Sequence, residues 1–278
     1  MELFRIVTDS SSDLFEFDAV PFATAPLKII TAEREYVDDG TLDVRNMVET
    51  LSEYKGKSST SCPNPEDWLG RFGEAQFVFC VTITGTLSGS YNAALVAKEL
   101  YEEQHPDRRV FVLNSLSAGP ELKLMIEKIR ELILAGENFD AICEAVQAYT
   151  KQTGLLFMLE SMKNLANNGR VHSVVAKAVG LLGIRIVGQA SAVGDLQPLD
   201  KCRGQEKAIA AIVHRMKKAG LKNGKVRIAH CFNESAAMRL KEMILADVKD
   251  AQIEIYECQG LCSFYAEKGG MLVGFEKR

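Results

Sequence analysis

Short apolar runs of strand length alternate with stretches of helical spacing along most of the chain. Leu3 to Thr8 predicts a first strand, which ends in the polar cluster Asp9-Ser10-Ser11-Ser12-Asp13. Pro26 to Ile30 predicts a second, shorter strand. Leu42 to Tyr54 places its apolar residues on one face of a helix, with Asp43 as N-cap. Phe77 to Thr82 is apolar and β-branched throughout, as in a buried strand. The loop Thr84 to Ser90 follows, then a helix over Tyr91 to Glu103 and a strand over Arg109 to Leu113. Helices are expected over Ala118 to Ala135 and Phe139 to Gln152. Strand, loop, helix and strand in this order predict a parallel-sheet unit with a right-handed crossover.

The pattern restarts near residue 155. Leu155 to Leu159 reads as a strand and Ser161 to Asn167 as a short helix, ended by the turn Asn167-Asn168-Gly169. A helix is predicted over Val171 to Leu182. Ile184 to Ala190 and Leu196 to Leu199 then form a hairpin around Gly194-Asp195. Helices over Gln205 to Ala219 and Glu234 to Ala246 alternate with strands over Lys225 to His230 and Gln252 to Cys258. Met271 to Phe275 closes the chain as a strand. The fold class is therefore α/β in two domains. Residues 1–155 form a parallel-sheet domain, and residues 156–278 form an α/β domain with a mixed sheet.

Composition narrows the function classes. The chain has 278 residues, 47% of them hydrophobic. No apolar run approaches the roughly 18 residues that a membrane span needs. The net charge of -4 argues against a nucleic-acid partner, which usually demands a basic excess. Arg215, Lys217 and Lys218 are instead expected to complement a helix C-terminus. Met1 to Asp9 reads as a strand rather than a signal peptide. The seven cysteines are expected to be free thiols in a reducing cytoplasm. Cys258, Cys262 and His230 lack the second matched pair of a structural zinc site, so no metal is expected.

Four segments could carry chemistry. Thr8 to Asp13 follows the first strand, where open α/β sheets place their ligand crevice. Its Asp and Ser residues could serve a phosphotransferase or hydrolase acting at Asp9 and Ser10, or could simply cap a helix and satisfy loop amides. Thr60 and Ser61, just before Cys62-Pro63, make a turn rich in donors. Ser88 sits between a buried strand and a helix N-terminus, where backbone N–H groups favour an anion. Arg203 precedes a helix and could face a carboxylate or phosphate, or could equally be an ordinary surface arginine. None of these is a nucleophile elbow or a phosphate-binding Walker loop, and no base is evident for a serine nucleophile. His230, at the end of an apolar strand, fits a core histidine as well as a functional one.

Taken in order, Ile6 to Leu14, Pro26 to Ile29, Thr60-Ser61-Cys62-Pro63, Leu87 to Ala94, Asn168-Gly169-Arg170 and Lys201 to Gly204 resemble the DegV family of bacterial fatty-acid-binding proteins. The resemblance implies two α/β domains with a long-chain fatty acid between and within them. It implies no catalytic residue and no cofactor other than that bound ligand. The carboxylate would be held by hydroxyls at Thr60, Ser61 and Ser88, supported by Arg203 and by a C-terminal histidine. Here Tyr265 stands in the histidine's place, and a tyrosine donates a hydrogen bond without carrying charge near neutral pH. Some family members present the acid to a separate fatty acid kinase, which is the partner that the resemblance implies.

Overall fold

The computed structural model describes residues 3–171 and 183–277. The helix expected over Val171 to Leu182 lies, apart from Val171, outside them. The N-terminal sheet is parallel throughout, in the order β2-β1-β6-β7, with β1 Phe4–Asp9, β2 Phe22–Ala25, β6 Phe77–Thr82 and β7 Arg109–Asn114. Val78 to Thr82 are buried on both faces, which accounts for the unbroken apolar run of β6. Behind this sheet pack α2 (Pro65–Phe72) and α3 (Ser90–Gln104), with Trp68 and Phe72 wholly buried.

The second sheet is mixed, in the order β10-β9-β8-β13-β11-β12. It comprises β8 (Thr153–Leu159), β9 (Ile184–Ala190), β10 (Leu196–Arg203), β11 (Lys225–His230), β12 (Gln252–Glu257) and β13 (Met271–Glu276). All its pairs are antiparallel except β11 with β12. One of its faces is covered by α7 (Gln205–Lys218) and α8 (Glu234–Asp247), whose Ile209, Ile212, Leu240 and Ile244 pack with Val226 and Ile228. The mixed sheet begins at Thr153, so a division at residue 155 falls inside β8.

One helix serves both sheets. α4 (Pro120–Leu134) touches β1 and β6 on one side and β8, β11 and β13 on the other. It is followed by α5 (Phe139–Thr150). Its residues from Pro120 to Glu127 are all buried, so the one-sided pattern of a surface helix is absent from its first two turns. Its charged residues find partners across the seam. Glu127 receives Arg227 through two 2.8 Å hydrogen bonds, and Lys123 reaches Glu254 at 2.7 Å. The backbone of β13 meets the start of α4 so closely that a Cβ on Gly274 would lie 2.6 Å from the Pro120 carbonyl carbon. Backbone cannot yield there as a side chain can. Gly274→Ala is expected to cost about 2 kcal/mol or more by overpacking, read as a lowered melting temperature.

A three-stranded antiparallel sheet, β4-β3-β5, was not foreseen: β3 Lys28–Ile30, β4 Glu35–Val37 and β5 Ser59–Ser61. It pairs Thr60 with Ile29, so Thr60 belongs to a strand and not to the turn that its neighbours suggested. Between β4 and β5, α1 (Val44–Glu53) begins with the Asp43 carboxylate accepting from the Asn46 N–H at 3.0 Å. A 3-10 turn over Ser10–Ser12, capped by Asp9, and two further helices, α6 (Lys163–Asn167) and α9 (Gly260–Ala266), complete the described elements.

Candidate functional site

A cavity of about 270 Å³ opens where the three sheets meet. On the same measure a single water needs about 10–15 Å³. Its walls are mainly apolar. Leu27, Ile83 and Leu87 come from the N-terminal half; Leu155, Phe157 and Leu159 from β8; Leu196, Leu261 and Leu272 from later elements. The side chains of β8 that alternate toward this space are the odd-numbered ones, while Leu156 and Met158 enter the opposite core.

The polar lining gathers in one region. Thr60 and Ser61 of β5, Ser88 of the β6–α3 loop, Arg170 and Tyr265 of α9 all line the cavity. Thr60 Oγ1 and the Tyr265 hydroxyl lie 2.7 Å apart, 205 residues distant in sequence. One hydroxyl donates to the other, which leaves a single O–H of the pair to point elsewhere. Burial pushes the Tyr265 hydroxyl above the ordinary phenol range, against the opposing influence of the Thr60 hydrogen bond and the Arg170 charge. Tyr265 is therefore a neutral donor near pH 7. Ser88 Oγ accepts the Ser90 N–H at 3.2 Å, and the Ser88 N–H is directed to the Thr84 carbonyl. The Ser88 hydroxyl hydrogen thus remains available, while its own amide does not.

The arginine on this cavity is not the one expected. Arg203 is exposed at the end of β10 and does not line it. β10 is the outer strand of its sheet, and its last residue is carried away from the site. Arg170 lines the cavity instead, with Nε donating to the Leu87 carbonyl at 3.1 Å and Nη1 to the Asn168 carbonyl. Among the described residues Nη2 has no partner. The sequence offered Asn167-Asn168-Gly169 as a turn and Asn168-Gly169-Arg170 as part of the family resemblance, without giving Arg170 a role at the site; Gly169 has the positive φ that such a turn favours.

The Asp9–Asp13 segment is packed away from solvent. Asp9 is wholly buried and accepts four hydrogen bonds: from the Ser11 N–H and hydroxyl, the Ile83 N–H and the Ser90 hydroxyl. Such a carboxylate has no lone pair to offer a substrate or metal, which argues against the phosphotransferase or hydrolase reading. Asp13 and Asp38 hold the start of α9. Asp38 accepts from the Gly260 and Leu261 N–H groups at 2.9 Å each, and Asp13 from the Gln259 N–H at 2.8 Å. Burial pushes Asp38 up to about 6; it pushes Asp13 up to about 8, with the neighbouring Asp38 charge adding to the rise. His230 is buried, with Nδ1 accepting the Asn233 N–H at 3.3 Å, and burial lowers its pKa. It is a core histidine and does not line the cavity. Among the described residues no cluster of three or more His, Cys, Asp or Glu could hold a metal, and no helix is long and apolar enough to cross a membrane.

Comparison with known proteins matches this arrangement over its whole length. The family described as uncharacterised protein, DegV family, matches residues 3–278. The chain belongs to the DegV family. A DegV domain-containing protein of Streptococcus pneumoniae is 42% identical over 276 residues, covering 98% of each chain. Among solved structures, a DegV family protein from Eubacterium eligens loaded with heptadecanoic acid superimposes with a TM-score of 0.97 at 40% identity, over 99% of this chain and 100% of that one. The S. pneumoniae Fatty Acid Kinase (Fak) B3 protein loaded with linoleic acid gives 0.97 at 42% identity, with the same coverage. A Ruminococcus gnavus DegV family protein refined with vaccenic acid gives 0.88 at 28% identity, over 98% of this chain and 99% of that one.

Proposed function

We propose that this protein is a non-catalytic carrier of a long-chain fatty acid in the cytoplasm, which it presents to a fatty acid kinase. The observation that carries this reading is an apolar cavity ending in neutral hydroxyl donors beside one arginine. Two relatives of the same shape, at 40% and 42% identity, hold heptadecanoic and linoleic acid, and one of them is a fatty acid kinase B protein. The ligand's carboxylate meets Thr60, Ser61 and Ser88, with Tyr265 supporting through Thr60 and Arg170 supplying positive charge. Arg203 is too far into solvent for direct contact and takes at most a role outside the cavity. The ligand lies between and within two domains, whose boundary falls before β8 rather than at residue 155, a reading supported by the change of sheet at Thr153.

The energetics suit holding rather than turnover. Burying an alkyl chain yields roughly 0.8 kcal/mol per CH2, so about 14 such groups give on the order of 11 kcal/mol before association costs. Those costs are at least roughly 4 kcal/mol, which leaves micromolar or better affinity from the tail alone. The head group needs only enough donors to replace its hydration. Hydroxyls without an adjacent base make a poor nucleophilic site and a serviceable carboxylate rest. Denaturing extraction of the purified protein followed by mass spectrometry is expected to release a fatty acid in near-stoichiometric amount. No fatty acid in the extract, together with no uptake of added palmitate or oleate, would overturn the carrier reading.

A further inference from the structure

The buried carboxylate of Asp9 has no place in the head-group site, yet its contacts bracket the loop that carries Ser88. Its Oδ2 accepts from the Ile83 N–H at 2.9 Å and the Ser90 hydroxyl at 2.6 Å, one before and one after that loop. Its Oδ1 is taken by Ser11, whose carbonyl in turn accepts the Gly119 N–H at 2.8 Å. Ser90 is wholly buried and uses two groups in opposite directions: its hydroxyl donates to Asp9 while its N–H donates to Ser88 Oγ. Accepting the Ser90 N–H keeps the Ser88 hydroxyl hydrogen out of that direction and leaves it free to donate toward the cavity. A short chain of hydrogen bonds therefore runs from Asp9 through Ser90 to the hydroxyl that faces the cavity. The far side of the loop is held separately, by Asn114 Oδ1 accepting the Gly85 N–H at 3.1 Å.

We infer that Asp9 and Ser90 are positioning residues for fatty-acid recognition, fixing the Ser88 hydroxyl as a donor to the ligand's carboxylate. This rests on the proposed reading, in which Ser88 meets the carboxylate. Neither residue touches the ligand, and both act on the head group alone. Losing the Ser90 hydroxyl removes the tie to Asp9 and loosens the loop, so the Ser88 hydroxyl spends part of its time turned away from the ligand. The tail's contacts with Leu155, Phe157 and Leu272 do not change. Carboxylate ligands must suffer while tail-only ligands of the same length do not.

The test measures binding of palmitate and of hexadecanol by Ser90→Ala, Asp9→Asn, Ser88→Ala and the Ser88→Ala/Ser90→Ala pair. Ser90→Ala is expected to weaken palmitate about tenfold and to leave hexadecanol within about twofold, the second value also reporting an intact cavity. Asp9→Asn, which sets an amide N–H2 against existing donors, is expected to show the same pattern. Because Ser90 acts through Ser88, its replacement should add less than about twofold on top of Ser88→Ala, a failure of additivity typical of groups in one network. Equal losses for both ligands, or losses that multiply in the pair, would overturn the inference while leaving the carrier reading intact. A Ser88→Ala protein with normal palmitate affinity would overturn it together with the assignment of the head-group site.

Discussion

The double variant Thr60→Val/Ser88→Ala is expected to bind palmitate about a hundredfold more weakly than the parent protein, with little change in melting temperature of the ligand-free form. A hydrogen bond to a charged group contributes roughly 1.5–3 kcal/mol, and every 1.4 kcal/mol is about tenfold in Kd. Removing Thr60 Oγ1 also strands the Tyr265 hydroxyl, whose 2.7 Å partner it is. Val keeps the branched shape that suits β5, so the strand pairing of Thr60 with Ile29 survives. Ser61 and Arg170 remain on the cavity, which limits the loss to about two orders of magnitude rather than the full sum. Calorimetric titration with palmitate measures it. Unchanged affinity would mean that the head group rests elsewhere in the cavity.

The second large effect concerns pH and stability. Asp13 has one oxygen on the Gln259 N–H and the other, Oδ2, buried without a partner. Its pKa is raised to about 8, mainly by burial. The sign follows from linkage. A carboxyl whose folded-state pKa lies above its unfolded value near 3.9 binds more protons folded than unfolded, so stability falls as pH rises between those two values. The charged and titratable groups facing it are Asp38, Lys123, Tyr256, Cys258, Cys262 and Cys231. Asp38, raised to about 6, adds a slope of the same sign over a narrower window. Asp13→Asn keeps the shape and the acceptor for Gln259 while removing the proton equilibrium. Its stability advantage over the parent is expected to grow by about 1 kcal/mol per pH unit between pH 5 and 8. Urea unfolding at several pH values reads this directly. A difference independent of pH would show that Asp13 does not titrate in this range.

The fold was legible where local pattern and tertiary environment agree. Phe77 to Thr82 is apolar because both faces are buried, and Asp43 caps α1 because its carboxylate reaches the first free N–H groups. Of the small β4-β3-β5 sheet only β3 was legible, within the strand expected over Pro26 to Ile30; β4 and β5 are three residues long, and β5 exists only through pairing with β3 across about thirty residues. β2, with alternating small residues between Pro21 and Pro26, carries little propensity of its own and is held by β1. α9 was missed for a related reason. It is seven residues long, starts at glycine, and its first N–H groups are satisfied by Asp13 and Asp38, which lie more than 220 residues earlier. At the site, Thr60, Ser61, Ser88 and Tyr265 were all named from the sequence and line one cavity. That Arg170 lines the cavity and Arg203 does not reflects the edge position of β10, which no local motif encodes. For Asp9 the sequence left capping and catalysis both open, and only the three-dimensional contacts, with its lone pairs all in use on loop amides and hydroxyls, favour capping.

The Thr60–Tyr265 contact also sets a schedule. A ribosome that has just delivered Thr60 must add 205 more residues before its partner exists, which at 5–20 residues per second takes about 10 to 40 s. Through that interval the growing chain has the apolar walls of the N-terminal half without a closed head-group end. On the proposed carrier reading, a fatty acid is held by its carboxylate only after Tyr265 has been made, and its binding then favours the folded chain over the unfolded one.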